Sequence, residues 1–259
     1  GKMGLIAGRL VGAAVGAALN AVKRLAKISA AAFVGLGIAS LKFASDAEET
    51  RNLFVVSMKD MAGAAQQFAK QYSDALGLDI VQTQKFLGTM NVMLTSMGLT
   101  SQEAFGMSKA MTALAFDMSS FFNIKPEEAF QKLQAGITGE VEPLKRLGVL
   151  VSATRVEMFA LEKGIIQEGE ALTENQKIMA RFGLIMEGTR DAQGDLGNTM
   201  GSLANVTRRF GVAVKVLLTQ IGKLFTEDVA ASMEGLIQKL QNATPAILEF
   251  VTNLSLIHI

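Results

Sequence analysis

Apolar side chains recur with the spacing of an α-helix almost everywhere after Asp46. One stripe at this spacing contains Met107, Met111, Leu114, Ala115, Met118, Phe121 and Phe122. A second stripe near the end contains Phe210, Val214, Leu217, Leu218, Ile221 and Phe225. No stretch alternates apolar and polar residues convincingly enough to indicate a strand. We therefore predict an all-α fold, a compact module of several helices.

Local signals predict where several helices begin and end. Thr100 or Ser101 can cap a helix whose first turn contains Glu103, and a T-x-x-Q capping box begins at Thr173. Pro126 suits the first turn of a helix, where its missing N–H is not needed. Glycines predict helix C-termini at Gly77, Gly98, Gly139, Gly148 and Gly164. These signals predict roughly eight to ten helices joined by short connections.

The first 45 residues form an Ala/Gly-rich apolar segment that carries six cations and no acid. A helix would present its regularly spaced glycines as one stripe, where another helix can approach closely: Gly4, Gly8, Gly12 and Gly16. The uncharged runs are shorter than the roughly 20 residues that a membrane-spanning helix needs. Contact with anionic lipid or nucleic acid and a solvated cationic face are both open interpretations. We expect an amphipathic, partner-packing or conditionally membrane-inserting helix, with a signal peptide as the less favoured alternative.

Composition and termini predict four parts. Residues 1–45 form the Ala/Gly-rich helical segment, residues 46–215 a helical domain, and residues 216–253 amphipathic helices that lead into further sequence. Residues 254–259, "LSLIHI", match a translated sequencing adapter and are set aside as an expected artefact. The start at Gly1 is compatible with a fragment.

The residue types exclude most catalytic centres. The sequence has no cysteine, and its single histidine, His258, falls in the segment that we set aside, which excludes Ser-His-Asp triads and most zinc sites. Two carboxylate pairs remain, Glu140 with Glu142 and Asp191 with Asp195, and such pairs can serve glycosidase chemistry at the right separation. We favour helix capping and surface charge for both pairs, because aromatic residues for sugar stacking are scarce. We therefore predict no catalytic residue, cofactor or metal site, and no enzyme.

Binding of phosphate or nucleic acid is not indicated either. The stretches "GVLVSATR" and "GLGIAS" lack the Gly-Lys-Ser/Thr ending of a phosphate-binding loop. Arg208, Arg209 and Lys215 form a modest basic patch without interleaved aromatics, which we interpret as solvated charge. The 14 Met and 15 Phe are interpreted as core residues rather than as a promiscuous binding surface. We expect no sequence-specific binding of nucleic acid.

The stretch "ITGEVEPLKRLGV", residues 137–149, is predicted to be a junction between two helices. One helix ends at its first glycine and a short helix begins at its proline, with acids near the N-terminus and Lys145 and Arg146 near the C-terminus. The residues that define the junction are Gly139, Glu140, Glu142, Pro143, Leu144 and Gly148.

Four motifs occur in a fixed order within residues 46–215: "KPEEAFQKL", "GEVEPLKRLG", "QKIMARF" and "AQGD" followed by "SLAN". In this order and spacing they resemble the core region of bacteriophage tail tape measure proteins. Each motif alone is weakly specific, whereas the series is strongly so. The sequence departs from the family pattern at Leu196, Gly197 and Asn198, where an aromatic followed by a basic residue is expected. It also lacks the long helical repeats of the measuring part.

The resemblance implies a structural protein of a long-tailed phage or prophage. Such a protein extends through the lumen of the tail tube, sets tail length during assembly and leaves with the DNA at infection. Its implied partners are tail tube and tail tip proteins, tail assembly chaperones, further copies of itself and the host membrane. It is made in the host cytoplasm and resides in the virion tail. Two alternatives remain, a membrane-perturbing, pore-forming helical protein that uses the glycine stripe and a cell-wall hydrolase with Glu140 or Glu142 as acid.

Overall fold

The computed structural model describes residues 37–223 and, beyond them, residues 226, 229–232, 234–235 and 237–238. The described residues are mostly helical and include no strand, which confirms the predicted all-α fold. The helices are α1 (described over residues 37–58), α2 (Ala62–Leu76), α3 (Ile80–Ser96), α4 (Ser101–Phe121), α5 (Pro126–Thr138), α6 (Glu142–Lys145), α7 (Ala153–Glu162), α8 (Glu174–Gly188), α9 (Asp195–Asn198) and α10 (Leu203–Lys223). A 3-10 turn, Lys59–Met61, joins α1 to α2.

The chain divides into two compact units. The terminal unit comprises Gly1–Asp46 with Leu217–Ile259, and the central unit comprises Ala47–Val216. The predicted division into four parts stays a prediction. The predicted glycine stripe and the segment 254–259 lie outside the described residues. No helix among the described residues is long and apolar enough to cross a membrane.

In the terminal unit, α1 and α10 touch at a glycine. A Cβ added at Gly222 would collide with the backbone carbonyl of Ser40 and would touch the side chain of Ala44. Ser40 and Ala44 are both buried there. Close approach of two helix backbones therefore depends on the missing side chain of this glycine.

The predicted helix ends are confirmed. Thr100 rather than Ser101 is the N-cap of α4 and forms a capping box with Glu103. Thr173 forms the second box with Gln176 at the start of α8, and Pro126 occupies the first turn of α5. The predicted C-terminal glycines lie at or just after helix ends with positive φ: Gly77, Gly98, Gly139, Gly148 and Gly164. Local sequence therefore determines most helix boundaries of the central unit.

The core of the central unit lies between helices that are neighbours in sequence. α4 packs against α3 and α5, and α7 packs against α8. A row of rings crosses four of these helices, with centroids 4.2–6.2 Å apart from one ring to the next: Phe68, Tyr72, Phe116, Phe86 and Phe130. Aromatic rings bury large apolar areas, so this row contributes strongly to the packing of α2–α5.

The apolar stripe of α4 is buried except at its end. Met107, Met111, Leu114, Ala115 and Met118 are all buried, as expected for methionines and aliphatic side chains that fill the core. Phe121, by contrast, is 47% exposed. α4 ends at this residue, and Phe122 packs against the core in its place, with the two rings in an edge-on contact at 5.0 Å. The sequence periodicity therefore places one residue in the buried stripe, Phe121, that the structure leaves largely exposed.

Candidate functional site

The predicted junction begins where α5 ends. Gly139 adopts φ of +100°, and its N–H donates to the carbonyl of Gly136 at 3.2 Å. The following N–H, of Glu140, donates to the carbonyl of Ala135 at 2.8 Å. These bonds satisfy carbonyls that the end of a helix leaves without a partner, and the left-handed conformation that they require favours glycine. The predicted stop at Gly139 is therefore confirmed.

The short helix α6 anchors the junction in the core through one leucine. Leu144 is fully buried, and it lies so close to Gly136 that a Cβ there would collide with it. The N–H of Val149 donates to the Leu144 carbonyl at 3.1 Å across Gly148, whose φ is +85°. Pro143 occupies the first turn of α6, which confirms the predicted start. The junction is thus a packed connection with glycines on both sides.

The two junction glutamates point to solvent. Glu140 and Glu142 are both exposed, and Glu142 accepts a hydrogen bond from the Lys145 Nζ at 3.0 Å within α6. A carboxyl that acts as the acid of a glycosidase is held in a cleft beside the substrate, whereas both of these side chains lie on the surface. Glu142 lies in the first turn of α6, but no side chain caps this helix, so surface charge rather than capping describes the pair.

An arginine from α8 secures the junction from the other side. The Arg181 Nη1 donates to the carbonyl of Ile137 at 3.2 Å, near the end of α5. Its Nη2 lies 2.7 Å from the position that a Cβ of Gly139 would occupy. The guanidinium therefore lies against backbone that only a glycine exposes. This contact joins the "GEVEPLKRLG" and "QKIMARF" motifs, which are about forty residues apart.

A cleft of about 430 Å³ opens beside this arginine. Its apolar wall is formed by Val151, Val156 and Leu172, and its charged residues are two acids and two bases: Glu157, Glu170, Lys177 and Arg181. The Lys177 Nζ forms an ion pair with the Glu174 Oε1 at 2.7 Å, and this contact lowers the pKa of the Glu174 carboxyl. The charges of the cleft balance, so that it favours neither an anion nor a cation.

A second polar centre holds the turn that contains "AQGD". The buried carboxylate of Asp117, on α4, accepts hydrogen bonds from the N–H of Gly194 at 2.9 Å and the N–H of Leu196 at 3.3 Å. Burial raises the pKa of Asp117, an effect that the two backbone hydrogen bonds oppose and the charge of Asp195 reinforces. Asp117 therefore connects α4 to the start of α9.

A network of hydroxyl and amide groups extends from this turn to α10. Asn205 is buried, and its Nδ2 donates to the Thr199 Oγ1 at 2.9 Å and to the Ser120 Oγ at 3.1 Å. The hydroxyls of Ser120 and Thr199 are themselves 2.9 Å apart. Each buried polar group in such a network needs its partners, so the network fixes the register of α10 on the end of α4.

The basic patch predicted as solvated charge is in fact used for packing, and that prediction is wrong for two of its three residues. Arg208 donates to the carbonyls of Ser119 and Ile124 at 3.2 and 3.4 Å. Lys215 pairs with the buried carboxylate of Asp79 at 2.7 Å. Arg209 is the exposed member of the patch, and part of its side chain lies against Gly77. Sequence spacing could not show this, because the partners lie 84 to 136 residues away.

The remaining carboxylate pair, Asp191 with Asp195, is divided between the surface and the start of α9. Asp191 is exposed, whereas Asp195 begins α9 and accepts a hydrogen bond from the Thr199 hydroxyl through its backbone carbonyl at 2.7 Å. Among the described residues, no group of three or more His, Asp or Glu could hold a metal ion. The connecting residues that the sequence did not single out are Asp117, Asn205 and Arg181. The one available signal for Asp117 was a charged residue between two apolar residues, Phe116 and Met118, of a largely apolar helix.

Comparison with protein families, with curated proteins and with solved structures gave no match for this chain.

Proposed function

We propose that the chain is a non-enzymatic structural module of a phage tail tape measure protein, which takes part in setting tail length during assembly and accompanies DNA at ejection. The proposal starts from the resemblance of the four ordered motifs to the core region of that family. Its implied partners are tail tube and tail tip proteins, assembly chaperones and further copies of the chain. Its implied location is the lumen of the virion tail.

One observation carries the proposal: the residues of the four motifs are used to end helices and to join them. Pro126 starts α5 in the first motif, and Leu144 anchors α6 in the second. Arg181 of the third motif binds the end of α5, and the backbone of Gly194 and Leu196 in and beside the fourth binds Asp117. A motif series used in this way supports a structural scaffold rather than a catalytic site.

The geometry lends less support to the two alternatives. A hydrolase with Glu140 or Glu142 as acid would need a carboxyl set in a cleft, and both side chains are exposed. The residues that line the cleft include Glu157 and Glu170, which are also exposed. The membrane-perturbing alternative depends on the glycine stripe, which lies outside the described residues.

The decisive experiment changes the length of the encoded protein in the phage or prophage that carries it. In-frame deletions and duplications of continuous helical sequence in the full-length gene should shorten or lengthen the tail in proportion, by about 1.5 Å per helical residue, the rise of an α-helix. Tail length is measured by electron microscopy, with a synonymously recoded gene as the control. Mass spectrometry of the purified virions should also detect the chain. Tails of unchanged length in every variant, or virions without the chain, would refute the proposal.

A further inference from the structure

The part of α10 that belongs to the central unit packs against the unit mainly through polar side chains and exposes an apolar face to solvent. Its polar side chains face the unit, through buried Asn205, through Arg208 and through the Lys215 pair with Asp79. Most of its large apolar side chains face away from the unit, and Val212, which lines a small pocket with Leu76 and Phe116, is the exception. An amphipathic helix on a globular body normally shows the opposite arrangement, with its apolar face inward.

The exposed side chains form one stripe, which we call the α10 stripe: Leu203, Val206, Phe210 and Val214. Leu203 is 82% and Phe210 71% exposed, and the two valines are each more than two-fifths exposed. Their spacing of three, four and four residues places them on one side of the helix. A continuous stripe of this kind marks a surface that another apolar surface covers.

The surroundings of the stripe carry little charge. The residues beside it are small and neutral, and all are exposed: Ala204, Thr207, Gly211 and Ala213. α10 contains no acid, and two of its cations, Arg208 and Lys215, are held by the central unit. An anionic membrane or a nucleic acid would be attracted by cations beside the stripe, and an acidic partner would need them too. The absence of a charged border within residues 203–214, apart from Arg208 and from Arg209 against Gly77, favours a partner that is itself apolar and neutral.

We propose that the α10 stripe binds the same stripe of a second copy of this chain, with the two helices antiparallel about a two-fold axis at Phe210. In this arrangement Phe210 meets Phe210 of the second copy, and Val206 of one copy lies opposite Val214 of the other. Gly211 leaves open space beside the ring, since a Cβ there would touch nothing within 4 Å. A surface that is apolar, neutral and nearly symmetric about its centre is suited to pair with itself.

The exposed area is sufficient for a specific contact of moderate strength. The four side chains expose on the order of 500 Å² in each copy, so two copies would bury roughly 1,000 Å², the lower limit for a specific interface. We therefore expect a reversible dimer with a dissociation constant in the micromolar range, about 1–100 µM. This inference does not depend on the proposed function, because it concerns only how the chain meets itself.

The first test measures association of the whole chain by sedimentation over about 1–200 µM. Phe210→Glu places a charge at the centre of the α10 stripe and should weaken the dimer about tenfold or more. Met158→Glu is the matched control, because Met158 is 63% exposed on α7 and lies outside the stripe. It should leave the dimer unchanged. Circular dichroism and thermal unfolding of both variants show whether they remain folded.

The second test determines the orientation of the helices by cross-linking, which is straightforward because the chain has no cysteine. Phe210→Cys should form a disulfide-linked dimer with itself, and Val206→Cys should do so only when mixed with Val214→Cys. A chain that stays monomeric throughout, or a dimer that Phe210→Glu does not weaken, would overturn the proposal. Binding of phosphatidylglycerol vesicles by a monomeric chain would overturn it in favour of a lipid surface. Cross-linking of Val206→Cys with itself would overturn the antiparallel arrangement.

Discussion

Gly139 combines a backbone conformation and a contact that both exclude a larger side chain. Its φ is +100°, and the Arg181 guanidinium occupies the space that a Cβ would need. Gly139→Ala should therefore lower the free energy of unfolding by about 1–3 kcal/mol. Gly106→Ala is the control, because Gly106 lies within α4 with nothing near an added Cβ, and it should raise stability by about 0.5–1 kcal/mol. Urea denaturation of both variants measures the difference, and an equal effect at the two sites would contradict this account.

Leu144 and Glu142 separate the packing role of the junction from its charge. Leu144 is fully buried, and Leu144→Ala should lower the free energy of unfolding by about 2–5 kcal/mol through lost contacts and a cavity. Glu142→Gln removes an exposed ion pair with Lys145 and should change stability by less than about 0.5 kcal/mol. Denaturant unfolding compares the two variants. A larger loss from Glu142→Gln than from Leu144→Ala would show that the charge matters more than the packing.

Asp117 should give the chain a stability that depends on pH in an unusual direction. Burial raises its pKa in the folded chain above the ordinary value of about 3.9, so the folded state holds the proton where the unfolded state loses it. Its contribution is therefore present at low pH and is lost as the pH rises through its folded pKa. Asp117→Asn removes this dependence.

Unfolding measured between about pH 4 and pH 7 tests the role of Asp117. The stability of the original chain relative to Asp117→Asn should fall as the pH rises. Glu103 and Glu174 have pKa values lowered by hydrogen bonds, from Thr100 and Lys177 respectively, and stabilise in the opposite direction. Both glutamates are present in the two proteins, so their effects cancel in the difference. A difference that stays constant or grows with pH would contradict the role of Asp117.

At the scale of an element, substitutions at the start of α4 measure how much one capping box contributes to the free energy of unfolding. The Thr100 hydroxyl accepts a hydrogen bond from the Glu103 N–H, and the Glu103 carboxylate accepts one from the Thr100 N–H at 3.0 Å. Thr100→Ala should lower the free energy of unfolding by about 1 kcal/mol. Ser101→Ala, one residue later and exposed, should change it by less than about 0.5 kcal/mol. Thermal unfolding of the two variants provides the comparison, and equal losses would place the cap elsewhere.

The elements that the sequence predicted well are those whose signals are local. A capping box spans four residues, and a left-handed glycine acts on the turn that precedes it, so Thr100, Thr173 and Gly139 could be interpreted directly. The contacts that join the elements are different in kind. Asp117 reaches a turn 77 residues away, and Lys215 reaches Asp79 across 136 residues. Contacts over such distances cannot be predicted from the helical periodicity of the sequence.

The orientation of α10 shows the same limit more sharply. Its apolar stripe could be predicted, since spacing alone defines a helix face. Which face meets the rest of the unit depends on polar partners at the end of α4 and just after α9, as the contacts of Asn205 with Ser120 and Thr199 show. The periodicity of a sequence therefore defines the apolar face of a helix, but it does not show what packs against that face.

At the scale of the molecule, a single chromophore reports on the whole central unit. The chain has one tyrosine and no tryptophan. Tyr72 lies in the aromatic row, and burial, followed by the charge of Asp117, raises its pKa above the ordinary value of about 10. The folded state thus keeps the phenol proton where the unfolded state releases it, and stability should fall as the pH rises beyond that value.

Absorbance of the phenolate follows this titration. In the native chain it should develop well above the ordinary pKa, because burial of the ring disfavours the phenolate. In guanidinium chloride the tyrosine should titrate at its ordinary pKa. Phenolate at that pKa with an intact helical signal would show that Tyr72 is accessible in the folded state.

The packing of sequence neighbours has a consequence for the order of folding. α3, α4 and α5 contact one another in succession, as do α7 and α8, so much of the core can form by closing short loops. These helical hairpins can assemble while the rest of the chain is still being synthesised. The contacts that Asp117 and Ser120 of α4 make with Leu196 and Asn205, near the end of the central unit, can form only afterwards. The late arrival of α10 means that its apolar stripe becomes a surface of the unit only once the body beneath it is complete.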